Sequence, residues 1–495
     1  MLLDILNTSV VLLYLLGLTL IFIYTIAQIH LSYKYMKYRK ELNQQTKPIK
    51  DYPNVTVQLP IFNEKYVINR LIDAVSNFDW PKDKLEIQVL DDSTDETVQI
   101  VDDKVEQLQQ EGVDIKHVCR DDRTGFKAGA LEYGQKRAKG EYIAIFDADF
   151  IPKPDFLKKT IPHFSTANIG MVQTRWGHIN KNYSILTRMQ AFALDAHFTV
   201  EQLGRYIGGL FMNFNGTAGV WRKECIIDAG GWQHDTITED LDLSYRAQLK
   251  GWEFKYLEDV VSPAELPVAI SALKTQQYRW TKGAAETARK NLKHVWKKSD
   301  LPFLKKLHAT SHLLNSSVFL LILLISLLSV PLLWIKNGTT DVSFLFQLAS
   351  FYITGLLLWI VFYSSSLAKD EGTFWQKTKR MAWMFPTFLT ISMGFSYHNT
   401  IAVLKGFAGK ISPFIRTPKF NITNVSDNWS SNKYLISQIK SETIIEAFIA
   451  LYFLGGIISA FLLGDFALLP FHLMLFIGFL FISGYSIYEA SLKLN

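Results

Sequence analysis

Four short stretches of this chain combine residue types and spacings that could do chemistry. The first is DAD, Asp147 to Asp149, at the end of an apolar run. In an extended segment alternate side chains share a face, so both carboxylates would point the same way. Two such oxygens suit a hard divalent cation that leaves its other positions to phosphate and water. A cation there would stabilise a departing diphosphate; the plainer reading is a solvated acidic turn. The second stretch is TED, Thr238 to Asp240, opening the helical run ITEDLDLSYRAQLKGW. Thr238 can cap that helix, with Glu239 and Asp240 facing its positive end. Asp240 could then serve as general base for a hydroxyl, a weak one so close to a helix N-terminus. The third is QQYRW, Gln276 to Trp280. Arg279 can fork onto a diphosphate and Trp280 offers a flat apolar face on which a sugar ring can lie. An interfacial membrane helix with a snorkelling Arg would use the same pair. The fourth is the strand-end acid pair Asp91 and Asp92 in LEIQVLDDS.

The elements needed to position these groups are legible around them. VTVQLP at 55–60, LEIQVLDDS at 85–93, VDIKHV at 113–118 and EYIAIFDADF at 141–150 read as strands. Helical spacing follows the first strand at Val67, Leu71, Ala74 and Val75, begins again near Asp95, and recurs over 127–138. Strands alternating with helices predict an α/β fold on a mostly parallel sheet. Ligands of such sheets collect at the carboxyl ends of the strands, where Asp91, Asp92, Asp147 and Asp149 stand.

Around this domain the composition changes. Residues 9–31 carry no Lys, Arg, Asp or Glu, enough to cross a hydrocarbon layer of roughly 30 Å. The segment lacks a small-residue cleavage site and reads as a retained anchor. Apolar runs return at 309–335, 344–367, 381–404, 443–463 and 466–488. The net charge of +6 comes from membrane flanks, such as Lys34, Lys37, Arg39 and Lys40, and Lys297, Lys298, Lys305 and Lys306. The bias toward one side predicts that residues 32–305 are cytoplasmic. A nucleic-acid partner is not expected, since no basic face with interleaved aromatics is present. Cys119 and Cys225 lack metal-type spacing and read as inert.

The four motifs, in the chain order Asp91–Asp92, DAD, TED and QQYRW and between membrane segments, resemble the membrane-embedded family 2 glycosyltransferases with a GT-A fold, which include cellulose, chitin and hyaluronan synthases. LDDSTD (90–95), KAGAL (127–131), FNGTAGVWR (214–222), ELP (265–267) and QQYRW are most similar to cellulose-synthase-like mannan and glucomannan synthases. The resemblance covers roughly residues 50–300. It implies that Asp91, Asp92, Lys127 and Arg279 bind the donor nucleotide, a UDP- or GDP-hexose, and that Asp147 and Asp149 hold Mg²⁺ or Mn²⁺. It makes Asp240, with Glu239, catalytic, and gives Gln276, Trp280, Asn215, Gly216 and Thr217 to the acceptor. QTRW at 173–176 lacks one residue of the motif's spacing, so Arg175 and Trp176 are read as part of a strand running toward the acceptor.

FIRTPK at 414–419 resembles the gating loop of cellulose synthases, implying roles for Phe414, Thr417 and Lys419, but Arg416 stands where those enzymes usually carry Val. For that loop to reach the site, 405–440 must be cytoplasmic. Segment 381–404, with Pro386, His398 and Asn399, is therefore expected to be interfacial or re-entrant rather than a span. The expected layout is an anchor at 1–31, a cytoplasmic catalytic domain at 32–305, and a membrane region at 306–495 with spans near 309–335, 344–367, 443–463 and 466–488. The resemblance implies an integral protein of a bacterial plasma membrane that makes a β-linked polysaccharide by inverting transfer, coupled to translocation. The alternatives are a single transfer to a membrane lipid, as in ceramide glucosyltransferases, and a non-catalytic transporter or receptor.

Overall fold

The computed structural model describes residues 2–41, 49–338, 343–367, 371–410, 415–430, 432–434 and 439–492. Seven strands build one sheet: β1 (Val55–Ile61), β2 (Leu85–Asp91), β3 (Ile115–Cys119), β4 (Tyr142–Ile145), β5 (Ile169–His178), β6 (Gly219–Arg222) and β7 (Glu253–Ala264). Their order across the sheet is β3-β2-β1-β4-β6-β5-β7. All neighbours run parallel except β6, which is antiparallel to both β4 and β5. The expectation of a mostly parallel sheet therefore holds, with one reversal.

β1 and β2 lie buried along nearly their whole length, which is why VTVQLPI and LEIQVLD show no in–out alternation. Their polar side chains are paired inside the layer: Gln58 Nε2 donates to Gln88 Oε1 at 3.0 Å, and Thr56 Oγ1 donates to Glu86 Oε2 at 2.7 Å. Helices Ile68–Ser76, Thr97–Gln110 and Phe126–Arg137 connect the parallel strands. The chain runs outward from β1 to β2 and β3, then crosses back to β4 on the other side of β1. This reversal opens a crevice at the carboxyl ends of β1 and β4, where open α/β sheets hold their ligands.

One local expectation is corrected here. The DAD acids do not sit on an extended segment: β4 ends at Ile145, and residues 147–150 form a turn closed by the Phe150 N–H to the Asp147 carbonyl at 3.1 Å. The strand stops because the Asp147 N–H donates to the Thr217 hydroxyl at 2.9 Å rather than to a neighbouring strand.

Among the described residues, five helices are long and apolar enough to cross a membrane: Asp4–Tyr38, Asn315–Gly338, Phe346–Ser366, Ser441–Leu463 and Leu469–Ser491. Residues 374–407 form two further helices, Phe374–Gly394 and Ser396–Phe407, which meet at Phe395 and are not among those five. The last two of these five helices are tied to the α/β half. Glu489 accepts the backbone N–H groups of Ile270 and Ser271, capping helix Ile270–Lys297, and Glu446 pairs with Lys274 at 2.6 Å. The helix that carries QQYRW is thus pinned to these two apolar helices over its first two turns.

Helices Phe374–Gly394 and Leu469–Ser491 touch backbone to backbone. A Cβ on Gly478 would lie 2.2 Å from the Thr390 carbonyl oxygen. Gly478→Ala must push the two helices apart, at a cost of about 1–3 kcal/mol. The expected result is a fall of several degrees in the unfolding midpoint of the detergent-solubilised protein; an unchanged midpoint would contradict this close packing.

Candidate active site

The crevice is lined by Phe62 and Glu64 after β1, Asp92 after β2, Arg123 and Lys127, the turn Asp147–Asp149, Arg279, and Arg416, Thr417 and Lys419 from far along the chain; it encloses about 100 Å³. Lys127 is its hub. Its Nζ donates to Asp147 Oδ1 at 2.6 Å and to the Gly216 carbonyl at 2.8 Å, and lies 3.9 Å from Glu239 Oε1. Burial alone would lower its pKa, but the carboxylates of Asp147, Glu239 and Asp240 outweigh that and raise it. The lysine stays charged.

Asp240 stands at the start of helix Glu239–Leu249. Its Oδ2 would be 2.9 Å from a Cβ on Gly216, whose φ is +79°, so the 213–217 loop passes directly over the carboxylate. Burial, then the adjacent Glu239 charge, push the Asp240 pKa up to about 7. The weak base expected from a helix N-terminus is corrected: desolvation and a like charge outweigh the helix field. Thr238 is corrected too. Its side chain makes no capping bond and instead lies 3.2 Å from the Thr287 hydroxyl, while Asp240 Oδ1 accepts the Leu241 N–H at 2.8 Å.

Asp92 is held by Arg120, whose Nε donates to its Oδ1 at 2.9 Å. Asp91 is 4% exposed, takes the Ser93 N–H at 2.7 Å and faces His117 at 2.9 Å; it braces the strand end, and it is Asp92 that lines the crevice. Arg279 donates to the Thr417 hydroxyl at 2.9 Å. Burial lowers its pKa against the pull of Asp147, Glu239, Asp149 and Asp240, leaving a guanidinium with little water around it and four carboxylates in its field.

Thr417 and Lys419 do reach the site. Lys419 Nζ pairs with Asp149 at 2.5 Å and Arg416 with Glu64 at 2.8 Å. The segment is fastened beyond the crevice by the Phe420 N–H to Glu265 at 3.0 Å, by Arg70 to Asn421 at 2.6 Å, and by contacts of Tyr434 with Asp95 and Lys433 with Glu96. Phe414 lies outside the described residues.

Gln276 and Trp280 line a second cavity of about 170 Å³, together with Gln190, Phe388, Ser392 and Asn399. The Trp280 ring is 6.5 Å from Trp176, which itself packs on Phe150 and Phe198, so the QTRW strand does face the same region. His398 contacts the Lys274 carbonyl at 2.9 Å. Glu64 and Arg123 were not singled out in the sequence. Glu64 follows the carboxyl end of β1, the position that pointed to Asp92; Arg123 carries no spacing signal and lies 3.3 Å over the Phe62 ring.

The carboxylates of Asp147 and Asp149 both face the crevice, each beside a lysine. No group of three or more His, Cys, Asp or Glu side chains stands together among the described residues. Two hard oxygen donors beside Arg279 and Lys127 fit a divalent ion that completes its shell with diphosphate oxygens, the usual habit of Mg²⁺.

Residues 53–283 match the family model described as "Glycosyltransferase like family 2". Glucomannan 4-beta-mannosyltransferase 2 of Arabidopsis thaliana is 45% identical over 263 residues, which are 52% of this chain and 49% of that protein. Glucomannan 4-beta-mannosyltransferase 1 of Cyamopsis tetragonoloba is 43% identical over 281 residues, 56% of this chain and 53% of that one. The chain thus spans about half the length of the curated relatives it matches. Among solved structures, a mannosyltransferase from Pyrobaculum calidifontis in complex with GDP-Man and Mn²⁺ superposes with a TM-score of 0.52 at 18% identity, covering 81% of this chain and 100% of that one. That likeness gives the GT-A fold.

Proposed function

We propose that this chain, whose residues 53–283 match the model of glycosyltransferase family 2, is a membrane protein that transfers mannosyl units from GDP-mannose to the end of a growing β-1,4-linked glycan. The single observation that carries the reading is the gathering of Lys127, Asp147 and Arg279 around one crevice, with Asp240 beside Lys127 at its margin, both facing Gly216. The relatives named as glucomannan mannosyltransferases supply the sugar and linkage. Asp240 takes the proton of the acceptor hydroxyl as its oxygen attacks the anomeric carbon. The bond from that carbon to the diphosphate breaks on the opposite side, the nucleoside diphosphate leaves with the electron pair, and an α-linked donor gives a β-linked product. Arg279 and Lys127 hold the diphosphate. Asp147 and Asp149 would hold Mg²⁺ or Mn²⁺, whose charge eases departure of the diphosphate. Trp280 and Gln276 would seat the acceptor sugar, with residues 415–430 closing over the donor. The α/β domain faces the cytoplasm, and the cavity beyond Trp280 leads the product toward the membrane helices.

The test is a panel of nucleotide sugars with the purified protein in detergent, with Mn²⁺ or Mg²⁺, followed by linkage analysis. Long β-1,4-linked product from GDP-mannose, lost on chelation and restored by excess Mn²⁺, is expected. Organic-extractable product would favour transfer to a lipid, and no consumption of any nucleotide sugar would sink the reading.

The raised pKa of Asp240 sets a pH dependence. A base must be deprotonated, so kcat/KM for the donor, which reports the free enzyme, should rise with pH through about 7 and level off above it. A profile flat from pH 5 to 8 would remove Asp240 from that role.

A further inference from the structure

Helix Ile270–Lys297 carries more than the QQYRW motif. Arg279, Gly283 and Glu286 follow one another at intervals of four and three residues, so they share one face of it. The loop before Asp240 lies along that face. A Cβ on Gly283 would stand 2.4 Å from Thr238 Cγ2 and 2.6 Å from its Oγ1, so the Thr238 side chain fills the space that a larger residue would take. One turn further on, Glu286 Oε2 accepts the Ile237 N–H at 2.8 Å, and the Thr287 hydroxyl stands 3.2 Å from that of Thr238. Beyond these, Asn291 Nδ2 donates to Asp242 Oδ1 at 2.8 Å, in the first turn of the helix that begins at Glu239.

The helix cannot easily back away from this loop. A Cβ on Gly406 would lie 2.6 Å from the Lys282 carbonyl oxygen and 2.8 Å from Ala285 Cβ, so helix Ser396–Phe407 packs closely on another side of the same turn. Glu286 is itself fixed: its second oxygen stands 3.1 Å from the Nζ of Lys282, a lysine with no exposed surface. A buried ion pair is a weak source of stability. What this one provides is a carboxylate held in place for the Ile237 N–H, three residues before the base.

We propose that Glu286, with Gly283 as the seat of Thr238, is a positioning residue that sets Asp240 at a fixed distance from Arg279, so that one helix places both the base and the arginine assigned to the diphosphate. This rests on the transfer reaction proposed above. It adds residues that line neither the donor crevice nor the cavity at Trp280.

The experiment uses the full chain in detergent with Mn²⁺, GDP-mannose as donor and a β-1,4-manno-oligosaccharide as acceptor. Glu286→Ala removes the partner of the Ile237 N–H and should lower kcat about tenfold. GDP affinity by calorimetric titration and the acceptor KM should both stay within about twofold of the wild type. Glu286→Gln loses the charge beside Lys282 but keeps an oxygen for Ile237, and should recover kcat to within about threefold of the wild type. An ion pair that served stability alone would leave the two variants equally impaired. Gly283→Ala should lower kcat about thirtyfold, because Thr238 must give way by close to 1 Å two residues from the base. Alanine is the better helix former, so the loss comes from the collision and not from a weaker helix. Adding Thr238→Ala leaves only the Thr238 Cβ, 3.0 Å from the added methyl; the double variant should then be within about threefold of Thr238→Ala alone.

Unchanged kcat in Glu286→Ala or in Gly283→Ala would overturn the proposal. So would Glu286→Gln no more active than Glu286→Ala, or GDP affinity that falls in step with kcat. Should Glu286→Ala fail to fold, the cycle of Gly283→Ala and Thr238→Ala decides, and additive losses in kcat overturn the proposal. If the wild type transfers nothing from GDP-mannose, the transferase reading falls and this one with it; if it transfers and the variants match it, only this one falls.

Discussion

Asp240→Asn is expected to lower sugar transfer by about a thousandfold, the middle to upper part of the usual range for removing a general base, with nucleoside diphosphate affinity changed by no more than about twofold. The substitution keeps the side chain's size and one carbonyl oxygen, so the bond from the Leu241 N–H, 2.8 Å in the native protein, can persist. It removes only the capacity to accept a proton. The groups assigned to the diphosphate, Lys127 and Arg279, come from other elements and keep their partners at Asp147 and Thr417. Losing one negative charge near them can only favour an anion slightly. Incorporation of labelled mannose from GDP-mannose measures the first quantity and calorimetric titration with GDP and Mn²⁺ the second. A variant that turns over normally but has lost GDP would show that Asp240 belongs to donor binding and that another group takes the proton.

Much of the crevice could be read from the chain because its residues occupy positions defined by local rules. Asp92 and the Asp147–Asp149 turn follow strands, Lys127 opens a helix after the Gly125 turn, and Asp240 opens another. Parallel sheets bring such positions to one edge, so the order of motifs predicted their convergence. What the chain hid depends on partners remote in sequence. The DAD turn is set by the Thr217 hydroxyl, 70 residues on. The basicity of Asp240 comes from burial and from Glu239 beside it; a helix start taken alone predicts the opposite sign. Glu64 is pushed up to about 7 by burial although Arg416 and Lys419, some 350 residues away, oppose the shift. The π-helical turn at His197–Gln202 has no local signature, since HFTVEQ has ordinary helical composition.

Gly216→Ala is expected to reduce transfer by about a hundredfold while leaving the protein folded. Two costs add at this position. With φ at +79° the residue sits where an L side chain is strained, worth about 1 kcal/mol. The added methyl would also lie 2.9 Å from Asp240 Oδ2 and 3.4 Å from Lys127 Nζ. Either the base or the loop must move by several tenths of an ångström, and displacements approaching 1 Å at a reacting group cost about two orders of magnitude in rate. Gly112 separates the two effects. Its φ of +77° is almost the same, but nothing lies within 4 Å of the Cβ position, so Gly112→Ala should carry the strain without the collision. It should lower the unfolding midpoint by less than Gly216→Ala and keep full activity. If the two variants lose activity alike, backbone strain rather than contact with Asp240 governs the loop. If neither loses activity, the 213–217 loop does not set the position of the base.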